Sequence, residues 1–394
     1  MEINEETNNE KSCKQSDKQQ EMLSYGYWLH NIPGVGNKTI LELLEQIGNE
    51  KDIFEASEKK LQPFITSRQL KAFELSRKNW KPEEEYKKLA KRNISFVTIT
   101  NPNYPKKLSN IPDAPYGIYV KGKLPKDEIP SVAIVGARTC SEYGRYMAAQ
   151  FAASLAFSNI QVISGMARGI DGIGQRAALE AGGSTFGVMG SGVDVCYPEE
   201  NILLYQNIIK SREGGIISEF PPGTDPKPSF FPMRNRIISG LADVILVIEA
   251  KEKSGTLITV DMALEQGREV YALPGRVSDE LSFGCNRLIK QGAGIAISPE
   301  DFIQELFMVS TSDIKGRNKT GRKQNFSTLE NIILQSLELG PESLDSIFHK
   351  IISSETMEAR EYTLPQIIEG LMELCIKGIV MQENGSYIII QHTV

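Results

Sequence analysis

The sequence predicts an α/β fold: a Rossmann-like doubly wound parallel sheet, with a small helical N-terminal domain and a C-terminal winged-helix domain. Three observations lead there. Between Ser131 and about Ile303, short Val/Ile runs alternate with glycine turns and helical stretches. The runs are apolar almost throughout, as in strands buried on both faces, and strands alternating with helices imply a parallel sheet covered by helices. The chain is also long enough, at 394 residues, for two or three domains at roughly 150 residues each.

Taken in order, residues 1–22 are polar and low in complexity and are expected to be a disordered tail, because they bury too little apolar surface to offset ordering entropy. Residues 23–100 are expected to form a helical domain. Apolar residues such as Ile40, Leu41, Leu43 and Leu44 recur there at helical spacing, interrupted by Ile32-Pro33-Gly34-Val35-Gly36. That turn, followed by Lys38, has the shape of a helix-hairpin-helix element, whose glycine N–H groups can touch a DNA backbone without reading sequence. Degenerate copies often serve only as tight turns, so both readings stay open here. Ile94, Phe96, Val97 and Ile99 read as a strand, and Tyr104-Pro105 and Ile111-Pro112 mark an extended connector.

Residues 101–305 are assigned to the Rossmann-like domain. Its strands are read at Val132–Val135, Gln161–Ile163, Thr185–Val188, Gly215–Ile217, Val244–Ile248 and Val270–Leu273. Ligands of such sheets sit at the carboxyl ends of the strands. Residues 306–325 end as a basic linker containing Gly and Asn. Residues 326–394 carry amphipathic helices and then two apolar runs around Asn384-Gly385, the pattern of a hairpin closing a winged helix.

Hydrophobic residues make up 40% of the chain and charged residues 24%, an ordinary globular composition. Five dispersed cysteines, Cys13, Cys140, Cys196, Cys285 and Cys375, offer no C-x-x-C spacing, so reduced thiols without a metal are expected. His30, His349 and His392 lie far from the glycine turns in sequence, which removes most routes to a Ser/His or Cys/His pair. No apolar run approaches the ~18 residues of a membrane span and the start lacks a signal-peptide core. A cytoplasmic protein with no membrane association is expected.

Three strand-to-helix turns could hold an anion, since glycine lets the backbone approach a ligand and helix starts expose free N–H groups. They are Val135-Gly136-Ala137-Arg138-Thr139, Ser164-Gly165-Met166-Ala167-Arg168-Gly169-Ile170-Asp171 and Lys253-Ser254-Gly255-Thr256. Each brings a cation, which favours phosphate. Neither a Walker loop nor a full G-x-G-x-x-G is present, so a nucleoside triphosphatase is not expected. The segment Lys227-Pro228-Ser229-Phe230-Phe231-Pro232-Met233-Arg234-Asn235-Arg236 interleaves rings and cations as a single-stranded nucleic acid would require. The competing reading is that a Phe packs in the core and an Arg pairs with an acid such as Glu219 or Asp225. Cys196 and Cys285 read as small buried fillers.

These motifs, with Gly190-Ser191-Gly192-Val193-Asp194, Tyr197-Pro198, Ser218-Glu219, Gly240-Leu241, Glu249-Ala250, Gly267-Arg268 and Pro274-Gly275 following in the same order, resemble the DNA-processing protein A (DprA/Smf) family across the whole middle domain. The resemblance implies a non-catalytic protein without cofactors. It would bind single-stranded DNA regardless of sequence, form a homodimer, protect incoming DNA and load the recombinase RecA in natural transformation or homologous recombination. Carried onto this chain, the DNA pocket would be lined by Arg138, Ser164, Gly165, Arg168, Lys227, Phe231, Arg234, Asn235, Arg236, Lys253, Ser254, Gly255 and Thr256, with Arg138 and Arg234 foremost. Two positions depart from the family pattern: Ala137 stands where a Ser is usual, and Gly174-Gln175 where Ala-His is usual. The alternative is a nucleotide-processing hydrolase similar to the lysine-decarboxylase-like family, but the position of its catalytic glutamate is Thr259 here.

Charge constrains the location of any DNA site. The net charge is −6, which taken alone argues against nucleic acid. Residues 326–394 carry ten acidic residues against three basic ones, and residues 131–305 twenty against fifteen. The acidic C-terminal block is expected to serve protein contact or regulation. DNA affinity has to come from a local cluster of Arg138, Arg168, Lys227, Arg234, Arg236 and Lys253 with backbone N–H groups.

Overall fold

The apolar runs of the middle domain pair as expected, because two-sided burial leaves a central strand no polar face. The computed structural model describes residues 20–307, 327–337, 340–353, 362–376, 379–383 and 385–389. The expected tail therefore lies outside the described residues up to position 19, as does the expected linker from position 308. Strands β1 (Ser95–Thr98), β2 (Gly117–Gly122), β3 (Ser131–Val135), β4 (Gln161–Ser164), β5 (Thr185–Val188), β6 (Gly215–Ser218), β7 (Val244–Val247), β8 (Glu269–Ala272) and β9 (Gly294–Ile295) form one nine-stranded sheet. Its order is β1-β2-β6-β5-β4-β3-β7-β8-β9. From β6 to β9 all pairs are parallel, while β1–β2 and β2–β6 are antiparallel.

Chain order runs outward from β3 through β4, β5 and β6, then returns to place β7 on the other side of β3. The carboxyl ends of β3 and β7 therefore flank the topological switch point, the crevice where doubly wound sheets hold ligands. Strands β3, β4, β5, β6 and β7 are buried at every position.

Helices cover both faces. On one, α8 (Glu142–Phe157), α9 (Ile170–Glu180) and α14 (Pro299–Phe307) pack through Phe151, Leu155 and Phe302 against Ile134, Val162 and Leu246. On the other, α7 (Lys106–Ser109), α11 (Phe230–Leu241), α12 (Gly255–Glu265) and α13 (Phe283–Lys290) pack through Leu108, Ile237, Val260 and Leu288 against Val135, Ile163 and Ile245. Helix α10 (Ile202–Lys210) lies over the β2–β6–β5 side, with Leu204 and Ile208 against Tyr119 and Ile216. Each large apolar side chain fully removed from water stabilises the fold by ~1.5–3 kcal/mol.

The helical N-terminal part comprises α1 (20–30), α2 (Asn37–Ile47), α3 (Glu50–Glu55), α4 (Glu58–Leu61), α5 (Ser67–Asn79) and α6 (Pro82–Lys91). Asn49 and Thr66 begin α3 and α5 with reciprocal capping boxes, and Pro82 with three glutamates opens α6 where the helix dipole favours acid. Trp28, Leu43, Ile53 and Phe73 form its core, which Tyr116 enters from the approach to β2. Asn37, the first residue of α2, donates to Glu219 at 2.5 Å and accepts from the Tyr116 N–H at 3.2 Å. Thus Ile32-Pro33-Gly34-Val35-Gly36 buries Ile32 and Val35 inside the helical core while Asn37 beyond it docks on the sheet.

Two readings of the connector differ from the structure. The strand read at Ile94–Ile99 forms as β1, but it starts the sheet at Ser95, inside the segment 23–100 assigned to the helical domain, and the supposed connector contains α7 and β2. Prolines at 112 and 115 masked the strand Gly117–Gly122, whose first four residues are buried. In the C-terminal block, helices Thr328–Leu337, Leu344–Ile352 and Leu364–Ile376 enclose Ile333, Leu337, Ile347 and Leu371. Strands β10 (Glu342–Ser343), β11 (Val380–Glu383) and β12 (Ser386–Ile389) form an antiparallel sheet in the order β10-β12-β11. Asn384, half of the expected hairpin turn, lies outside the described residues.

Candidate nucleic-acid interface

The turn after β3 is built by close backbone approach. Gly169 has φ +69, and a Cβ there would lie 2.3 Å from the Ala137 carbonyl oxygen and 2.6 Å from that of Arg138. Only glycine lets the β4–α9 turn press on the β3–α8 turn in this way. The Ile170 N–H then donates to the Ala137 carbonyl at 3.2 Å, fixing the backbone beneath Arg138. Met166, at φ +58, is a non-glycine residue in the left-handed region, a conformation costing ~1–2 kcal/mol. Both its backbone groups are clamped: its N–H donates to Gln175 Oε1 at 3.1 Å and its carbonyl accepts from Asn201 Nδ2 at 2.9 Å. Gln175, at a departure from the family pattern, thus supports the turn from a fully buried position.

Arg138 stands exposed on this base. Its guanidinium lies 5.7 Å from the centroid of Phe231, and the ring of Tyr197 is 5.4 Å from Phe231 at 35°. Phe231 is half-buried, and a Cβ on Gly190 would come within 2.9 Å of its ring, so Gly190 of the Gly-Ser-Gly motif is the seat for that ring. Beside it Lys227 Nζ sits 5.4 Å from the Phe230 centroid, and Phe230 stacks on Phe220 at 4.1 Å. An exposed arginine, two partly exposed rings and an exposed lysine therefore share one surface.

Arg234 lies under this surface rather than on it. It is 5% exposed, and its Nη1 donates to the carbonyls of Gly165, at 2.5 Å, and Val188. Asp171, also buried, accepts from the Gly165 N–H at 3.1 Å. Burial, joined by the like charge of Arg138, pulls the Arg234 guanidinium down to about 10 against the opposing charge of Asp171. Burial likewise raises the Asp171 carboxyl, against the field of Arg234. A Cβ on Gly165 would lie 2.6 Å from Arg234 Nη1, so this glycine makes room for the guanidinium.

Other residues expected in the pocket lining also point inward. Arg236 is bidentate on Glu219, at 2.8 and 2.9 Å, and its Nε donates to Asp113 at 3.0 Å. This is the acid pairing that competed with a phosphate role, and it leaves Arg236 7% exposed. Ser164 is fully buried, its hydroxyl donating to the Ile134 carbonyl at 2.6 Å. Thr256 is buried in α12. Asn235 is half-buried and accepts from Arg234 Nε at 3.1 Å.

Across the switch point, β7 leads into Lys253-Ser254-Gly255. Lys253 and Gly255 are exposed, and a Cβ on Gly255 would meet nothing within 4 Å, so packing does not explain the glycine. Ser254 is the N-cap of α12 without a side-chain cap hydrogen bond, and its buried Oγ has no partner among the described residues. While the Leu257 N–H turns back on the Ser254 carbonyl at 3.1 Å, the Gly255 and Thr256 N–H groups and the Ser254 hydroxyl have no acceptor among the described residues, as at anion sites. Arg168 is exposed and ion-paired with Glu200. Burial raises the thiols of Cys196 and Cys285 to about 11 and about 12, which suppresses thiolate; Cys285 is the buried filler expected, whereas Cys196 is only partly buried.

The family model for DNA recombination-mediator protein A matches residues 95–307, which is β1 through α14. The chain belongs to the DNA recombination-mediator protein A family. The DNA processing protein DprA of Streptococcus pneumoniae is 42% identical over 208 residues, 53% of this chain and 73% of that relative. Protein Smf of Escherichia coli is 38% identical over 301 residues, 76% of this chain and 78% of the relative. The X-ray structure of DNA processing protein A from Streptococcus pneumoniae covers 73% of this chain and 99% of its own, at 34% identity and a TM-score of 0.63. Membership of the DNA recombination-mediator protein A family places the chain in DNA processing and recombination. Among the described residues no helix is long and apolar enough to cross a membrane.

Sequence reasoning missed Tyr197 beside Phe231, and Arg145 and Arg176, which line a cleft next to Arg138. Tyr197-Pro198 was visible as a motif, but only the fold sets its 43% exposed ring against Phe231. The two arginines lie inside helices α8 and α9, where nothing local sets them apart.

Proposed function

We propose that this protein binds single-stranded DNA without sequence preference at the carboxyl edge of its sheet. The observation that carries the reading is the Arg138–Phe231–Tyr197 platform, next to the unsatisfied start of α12 at the topological switch point. Rings stack on any base, and cations with backbone N–H groups hold phosphates irrespective of sequence. In this reading Arg138, Lys227, Phe231, Lys253, Ser254 and Gly255 touch the strand, joined by Tyr197, while Ser164, Gly165, Arg234, Arg236 and Thr256 shape the floor. Asn235 and Arg168 stand at its margin.

The protein acts as a mediator rather than a catalyst. It works in the cytoplasm, holds incoming DNA and passes it to the recombinase RecA as a homodimer. Family membership supports the recombination role, and the absence of a carboxylate at Thr259, itself 3% exposed, supports the non-catalytic one over nucleotide hydrolysis. The acidic C-terminal block, read as a winged helix, serves protein contact.

Titration of labelled oligonucleotides at several salt concentrations tests the reading. Tight single-strand binding, weaker duplex binding and affinity that falls with salt are expected. Absent or salt-insensitive binding would refute it, and release of base or phosphate from a nucleotide would revive the hydrolase.

A further inference from the structure

On the α8/α9 side of the same sheet edge a cleft of about 300 Å³ opens beside Arg138. Four arginines line it: Arg138 and Arg168 from the two strand-to-helix turns, Arg145 from the first turns of α8 and Arg176 from α9. Two of them have acidic neighbours, since Arg145 Nε lies 3.5 Å from Glu142 and Arg168 pairs with Glu200. Among the described residues no carboxylate lies within ion-pair distance of Arg138 or Arg176. The cleft therefore keeps two guanidinium groups more than its carboxylates offset.

Its walls are held in place. Asn201 donates to the carbonyls of Met166 and Ala167, and Gly169 packs on the neighbouring turn, so the like charges cannot relax apart by moving the backbone. Among the described residues no aromatic ring lines the cleft, in contrast to the Phe231 platform on the other side of Arg138. Forked guanidinium donors around a polar space without a stacking surface suit a phosphate group rather than a base.

We propose that this cleft holds a phosphate of the DNA strand as it leaves the platform, with Arg145 and Arg176 as additional cations. The proposal rests on the DNA-binding reading above. Arg138, which borders both places, would be the point where the strand crosses from base stacking to backbone contact.

The test uses the full chain and the double variant Arg145→Gln/Arg176→Gln, both side chains being exposed. Oligo-dT of about 6 and about 20 nucleotides, each with and without a 5′-phosphate, is titrated at several salt concentrations. The double variant is expected to lose about tenfold in affinity for the longer strand, to lower the salt slope by about 0.7 for each phosphate it no longer neutralises, and to bind the short unphosphorylated strand as the native chain does. A loss seen only with 5′-phosphorylated strands, at both lengths, assigns the cleft to a strand end instead of an internal phosphodiester. Unchanged binding of all four oligonucleotides by the double variant, while Arg138→Ala weakens it, overturns the proposal and leaves the platform reading intact. Should the native chain bind no oligonucleotide, the platform reading fails. Inorganic pyrophosphate then decides: a thermal upshift that the double variant lacks keeps the cleft as a phosphate site, and no upshift in the native chain removes it.

Discussion

Arg138 and Arg234 approach the same turns from above and below, and their difference in burial separates binding from folding. Removing the Arg138 guanidinium takes away an exposed group with no ion pair among the described residues, so the melting temperature should stay put. Single-strand affinity should fall about tenfold, ~1.4 kcal/mol, with a shallower salt slope. Removing Arg234 leaves two buried carbonyls and Asp171 without their cation. Loss of one partner from a buried charged set costs ~3–5 kcal/mol. Urea unfolding of Arg234→Ala should show a loss of that order, and a native-like midpoint would disprove its structural role. Gly165→Ala probes the same packing from the other side, because the added Cβ meets Arg234 Nη1 at 2.6 Å; it should destabilise more than a surface Gly→Ala does and weaken DNA binding only as far as the turn is displaced.

Between elements, two polar contacts set how the layers join. Helix α8 begins on Ser141, whose hydroxyl and N–H both donate to the buried Glu249 carboxylate, which also fills the space that a Cβ on Gly144 would need. Glu249 is thereby a brace between the β7 end and the start of α8. Replacing it by Ala should lower stability by ~1–3 kcal/mol, the cost of leaving buried donors unmade, and calorimetry of Glu249→Ala would measure it. Helix α1 meets β2 through His30 Nδ1 and the Tyr119 hydroxyl at 3.1 Å, with Asn31 donating to the same hydroxyl. Burial among these rings lowers His30 to about 4 from the ordinary 6.5. The folded pKa lies below the unfolded one, so the unfolded chain binds the extra proton and the fold loses stability as pH falls from 6.5 towards 4. At 1.36 kcal/mol per unit the full effect is about 3 kcal/mol, and the difference in unfolding free energy between the native chain and His30→Phe should shrink by that order over this window. A pH-independent difference would show that His30 does not titrate there.

The same elements show what was readable beforehand. Strands β3 to β8 announced themselves because a strand covered on both faces is apolar throughout. Strand β2 did not, because prolines and glycines surround Ile118-Tyr119-Val120 and its antiparallel pairing depends on a neighbour, β6, nearly a hundred residues away. At the site, the turns and their glycines were legible as motifs. Their division of labour was not: whether an arginine such as Arg236 meets Glu219 or solvent depends on how α11, packed over β3, β4 and β5, is set against the residue that follows β6, and no local pattern encodes that. Arg145 and Arg176 became visible only when α8 and α9 were laid side by side.

Across the whole molecule, net acidity and a DNA site coexist because the opposing charges are separated along the chain. The platform and the arginine cleft gather exposed cations at one sheet edge, whereas residues 326–394 carry ten acidic residues against three basic ones. Electrostatic attraction to a strand decays over a Debye length of ~10 Å at 0.1 M salt, so the local cluster governs binding, and acidic charge lying beyond that length contributes only a long-range penalty. Deleting residues 326–394 should therefore leave single-strand affinity within about twofold at 0.15 M salt. At low salt, where the Debye length reaches ~30 Å at 0.01 M, the shortened chain should bind more tightly than the full one. Fluorescence anisotropy of both chains across that salt range measures it. A large loss of affinity on deletion at every salt concentration would mean that the C-terminal block itself reads DNA, and that its acidic surface faces away from the strand.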